Sequence, residues 1–155
     1  MKTKYLIQAA VIAAVYAAVT ILLAPLSYGP MQMRISEALT VLPYFTPSAI
    51  PGLFVGCLLA NTISPVGLAD VICGSSASLI AAWLSYKLRA KPILVPMPPV
   101  VVNGIIIGAM LRYVFGVPMS LFACVAWVSA GQFAVCYILG YPLLCYLKKH
   151  KGIFE

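Results

Sequence analysis

Apolar residues run along this chain in long blocks rather than alternating, and polar residues collect where the blocks end. Residues 5–24 make the first block, about the twenty residues a bilayer-spanning helix needs. Pro25, Gly29 and Pro30 end it, because proline cannot continue the helical ladder and glycine tolerates a turn. Ser36 is placed to cap a helix over 36–45, with Glu37 in its first turn. That helix is too short to cross alone, and Pro43, Pro47 and Pro51 follow it. Either 36–60 is one kinked span or the chain turns back near 46–48.

Charge decides between the two. A hairpin gives six spans: 5–24, 36–45, 48–63, 67–86, 92–112 and 119–147. Lys2/Lys4, Lys87/Arg89/Lys91 and Lys148/Lys149/Lys151 then share one face, against only Arg34 and Arg112 on the other. The positive-inside rule favours this arrangement, with both termini cytoplasmic. The short helices must pack in protein or beside a cavity, since lipid cannot satisfy their open backbone ends. The expected fold is therefore an all-α integral membrane protein, a six-transmembrane-helix bundle forming a single domain over 1–155. The basic start resembles a signal peptide, but its apolar run is long and more spans follow, so a retained helix is expected.

Small residues recur at helical spacing. Ala9, Ala13 and Ala17 form one stripe on the first span, and Ala10, Ala14 and Ala18 a second. Either lets another helix backbone come close; the plainer reading is packing within the bundle. Gly52/Gly56, Gly74/Ser78/Ala82 and Gly104/Gly108 carry the same signal.

Composition narrows the class. The chain is 63% hydrophobic and 8% charged, against about a quarter charged in soluble domains. Five cysteines without a CxxC pair read as small buried hydrophobes, not a disulfide framework or zinc site. The one histidine, His150, lies in the basic tail, which removes a histidine triad or metal site, and no GxxxxGK[ST] loop is present. An enzyme is not expected, nor a cofactor.

The acidic residues number three: Glu37, Asp70 and Glu155. Two lie in or beside apolar sequence, where an ionisable group is costly and marks a candidate site. Arg34 and Glu37 are spaced to share a helix face. Gln32, Arg34, Glu37, Asn61, Asp70, Asn103 and Tyr113 are the candidate ligand contacts, with Tyr28, Arg112 and Gln132 nearby. A carboxylate, a guanidinium, amides and phenols suit a flat polar molecule. Each has a duller reading. Arg34 pairs with Glu37, Asp70 caps a helix start, Arg112 snorkels, and Asn103 and Gln132 bond between helices.

The stretch MQMRISEALTVLP at 31–43, with the six spans, the AxxxA stripes and the basic C-terminus, resembles the S components of energy-coupling factor (ECF) transporters, within them the QueT family of queuosine-precursor transporters. The resemblance implies a substrate-binding subunit that captures a deazaguanine base or queuine from outside. A transmembrane subunit, EcfT, and two ATPases, EcfA and EcfA′, would drive transport. It also implies that both alanine stripes meet EcfT, and that loops 25–35, 61–66 and 113–118 gate the pocket. A guanine-like edge fits Glu37, and an aminomethyl group fits Asp70. The alternatives are the same fold with another vitamin or nucleobase-like cargo, and a membrane scaffold or enzyme subunit.

Overall fold

The computed structural model describes residues 2–28, 33–65 and 67–150. Helix α1 (Lys2–Leu22) is followed by a short α2 (Ala24–Ser27) and by a 3₁₀ helix over Ile35–Tyr44. Next comes α3 (Ala49–Asn61). A π turn at Asp70–Gly74 runs straight into α4 (Ser75–Lys87), and α5 is Met97–Tyr113. Helix α6 (Leu121–Phe133) continues through a π segment at Ala134–Gly140 into α7 (Tyr141–Lys149). Among the described residues there is no strand.

Four continuous helices are long and apolar enough to cross a bilayer: Thr3–Leu22, Asp70–Ala90, Pro92–Tyr113 and Leu121–Lys149. They match four of the six expected spans. The other two expected spans are short segments broken at 45–48, as the prolines imply. Pro25 does end α1, but it then serves as a first-turn residue of α2, where its missing N–H costs nothing. Ser36 does not cap. Its hydroxyl instead meets Thr20 Oγ1 of α1 at 2.6 Å.

The 3₁₀ helix is the buried centre of the bundle. Ten residues exceed the usual three or four for this geometry. Packing sustains it. Ser36, Glu37, Ala38, Thr40, Val41, Leu42 and Pro43 are all buried, so it has no solvent face. It touches α1, α3, α4, α7 and the π segment of α6. Thr40 Oγ1 donates back to the Glu37 carbonyl at 2.6 Å, and Pro43 offers no N–H to the ladder.

Around this centre the helices approach closely through glycine. A Cβ on Gly52 would lie 2.8 Å from the Ala9 carbonyl oxygen, and one on Gly56 2.8 Å from that of Ala13. Gly108 faces α6 likewise, 2.8 Å from Val125 Cα. These small-residue faces therefore hold the bundle together internally. The two alanine stripes divide accordingly. Ala13 is buried against α3 and Ala9 and Ala17 are half-buried, while Ala10, Ala14 and Ala18 are exposed. The expectation that both stripes are open to a partner is corrected for the first, because Gly52 and Gly56 already occupy it.

Gly56→Val must push α1 off α3, at about 2–3 kcal/mol. Ala14→Val should stay within about 0.5 kcal/mol. Thermal unfolding in detergent checks this, and equal midpoints for the two variants would refute the division.

Candidate functional site

Arg34 precedes the 3₁₀ helix in extended backbone, with ψ at 102°. Glu37 sits inside the first turn. They are three apart in sequence but leave the chain in different directions, so the expected shared face and mutual pair do not form. Arg34 reaches the π turn. Its Nη2 donates to both Asp70 carboxylate oxygens, at 2.8 and 2.7 Å. Asp70 is fully buried and Arg34 is 5% exposed. Asn61 Nδ2 ties the Asp70 main-chain oxygen at 2.8 Å. The Tyr28 ring covers the guanidinium at 5.7 Å, and its hydroxyl bonds the Ala60 carbonyl. Gly74 makes room for the cluster, since a Cβ there would lie 2.7 Å from Asn61 Nδ2 and 3.0 Å from Asp70 Oδ1.

This corrects the expectation for Asp70. It neither caps a helix nor stands ready for an aminomethyl group, because both of its oxygens are committed to Arg34. A buried guanidinium demands such a partner.

Glu37 points the other way, to α1. Its Oε1 accepts from the Tyr16 hydroxyl at 2.5 Å, and both residues are buried. Its Oε2 has no hydrogen-bond partner among the described residues. Arg34 Nε and Asn61 Oδ1 are in the same condition. A buried polar atom left this way costs about 1–3 kcal/mol, so it calls for an explanation. On the far side, Asn103 Nδ2 of α5 donates to Gln132 Oε1 of α6 at 3.2 Å, which is the interhelical bond expected as their duller reading.

Arg34, Glu37, Asn103 and Gln132 line one cavity, with Gly74 at its edge and Ile107 and Val128 as apolar walls. Its volume is ≈ 10 Å³, room for about one water. A bicyclic base fits only if the surrounding helices give way.

The remaining candidates fall elsewhere. Asn61 belongs to the Arg34–Asp70 cluster and does not line the cavity. Tyr113 is 74% exposed at the end of α5 and joins none of these contacts. Gln32 lies outside the described residues. Tyr16 was not foreseen. Its signal was a phenol in mid-span, on the same face as Ile12 and Thr20.

A family model described as "QueT transporter" matches residues 6–149. The chain belongs to the QueT transporter family. A curated relative, the "Queuosine precursor transporter QueT" of Lactococcus lactis subsp. cremoris, is 35% identical over 89 residues. That match covers 56% of this chain and 52% of the relative, so the chain spans about half the relative's length. No solved structure matches. QueT is a transporter family, not an enzyme family. With four membrane-length helices, membership places the chain in the cell membrane as a multi-pass protein.

Asp70→Ala should cost about 3–5 kcal/mol by stranding the buried guanidinium, and Arg34→Met with Asp70→Leu should recover most of it. Denaturation in micelles of the wild type, Arg34→Met, Asp70→Leu and the double variant gives the cycle. Strictly additive losses would mean that the pair is not coupled.

Proposed function

We propose that this chain is the substrate-binding S component of an ECF-type importer and that its cargo is a queuosine precursor, a deazaguanine base or queuine. The observation that carries this is Glu37, a buried carboxylate with one oxygen unmatched beside a cavity. A base presenting ring N–H and amino donors supplies the missing partner, and Ile107 and Val128 offer apolar contact to its faces. The name of the Lactococcus relative supports the choice of cargo.

In this reading the chain crosses the membrane six times with both termini inside, as the basic clusters favour. Capture occurs at the outer face without nucleotide. Energy comes from EcfT and the ATPases EcfA and EcfA′, because this chain carries no phosphate-binding loop of its own. The exposed Ala10, Ala14 and Ala18 stripe is the surface that would meet EcfT, since small side chains permit close backbone contact.

Glu37→Gln should weaken binding of the base by about tenfold or more, the equivalent of about 1.4 kcal/mol. Titration of detergent-solubilised protein without ATP reads this directly, and unchanged affinity removes Glu37 from the site. A screen including purines and vitamins in the same assay distinguishes a different cargo on the same fold. Ala14→Trp should leave that affinity intact and abolish uptake by cells carrying the whole importer. Normal uptake would rule the stripe out as the docking surface.

A further inference from the structure

Where α5 ends and α6 begins, a groove of ≈ 270 Å³ is lined by Leu111, Val117, Met119, Cys124 and Trp127. Every one of these side chains is apolar. Leu111, Cys124 and Trp127 belong to two of the membrane-length helices. Trp127 lies about 9 Å along α6 from its first residue. The groove therefore leads from the helix ends into the hydrocarbon layer, where lipid rather than water covers a protein surface. Met119 is 39% and Trp127 45% exposed to it. Leu111 packs against Ile107, Met110 and Val128, so packed side chains separate this groove from the cavity at Glu37.

A cation stands at the rim. Arg112 Nη1 donates to the main-chain oxygen of Val117, a wall residue, at 3.3 Å. One such bond leaves most of the five guanidinium N–H donors for another acceptor. The protein offers no carboxylate among the described residues: Glu37 and Asp70 are both buried, and Asp70 holds Arg34. A guanidinium fork matches phosphate oxygens. A phosphate-binding group at the rim and an apolar trough running from it into the bilayer complement the two ends of a phospholipid.

We propose that this groove is a binding site for an anionic phospholipid, with one acyl chain along Leu111, Cys124 and Trp127 and the phosphate on Arg112. Snorkelling alone would place Arg112 among headgroups without choosing one or ordering a chain. Here the two features are joined through Val117. The lipid with net negative charge is preferred, because a choline headgroup already balances its phosphate. The site asks nothing of the cargo and stands apart from the transport reading.

Native mass spectrometry of the full chain tests this, with protein released from nanodiscs of equimolar phosphatidylglycerol and phosphatidylcholine of the same acyl chains. The wild type should retain phosphatidylglycerol over phosphatidylcholine by about fivefold, the worth of one arginine at a membrane surface. Arg112→Gln should bring that ratio to about one. Trp127→Ala removes a wall of the groove and should lower retention of both lipids. Both side chains are exposed, so neither change disturbs the packed interior. Equal retention of the two lipids by the wild type, or a preference that survives Arg112→Gln, overturns the proposal. Undiminished retention by Trp127→Ala would show that no chain lies in the groove and overturns it as well.

Discussion

Burying a guanidinium in a helical bundle costs several kcal/mol unless a counter-charge sits against it, and Asp70 supplies that charge to Arg34 at 2.7 Å. Much of the interior follows from this pairing. It takes both oxygens of Asp70, so Glu37 is left as the one carboxylate of the described residues not committed to an ion pair. It draws α3, the π turn and the start of the 3₁₀ helix to one point, with Asn61 bonding the main chain of Asp70. It also requires Gly74, because a side chain there would occupy the space of the cluster.

Glu37 is then held from a different direction. Tyr16 reaches it from α1 and Thr20 bonds the neighbouring Ser36, so two hydroxyls one helical turn apart fasten the 3₁₀ helix to α1. The opposite face of α1 is the exposed Ala10, Ala14 and Ala18 stripe. One helix thus carries the group that orients the candidate binding carboxylate and the stripe proposed above as a docking surface. A ten-residue 3₁₀ helix suits such a place. Its hydrogen bonds are poorer than those of an α-helix, and tertiary contacts rather than its own ladder hold it.

What was legible in the sequence was what membrane energetics make expensive. Arg34, Glu37 and Asp70 stood out because charge in apolar sequence is rare, and the break at 45–48 because Pro43 and Pro51 flank it and Pro47 lies within it. The pairing of the charges was not legible. Spacing of three predicts a shared face only if both residues are helical, and the extended backbone at Arg34 comes from the way the chain enters the bundle. The two alanine stripes look alike as strings. Only the fit of Gly52 and Gly56 against Ala9 and Ala13 tells the inner from the outer. Tyr16 was not singled out, because its value lies in a hydroxyl whose acceptor is twenty-one residues away.

The structure of the protein with a 7-deazaguanine base bound tests the central claim most directly. The account predicts the base between Ile107 and Val128, a ring N–H or amino nitrogen about 2.7–3.2 Å from Glu37 Oε2, and the Arg34–Asp70 pair unbroken beside it. A base bound elsewhere, with Glu37 still facing only Tyr16, would contradict it.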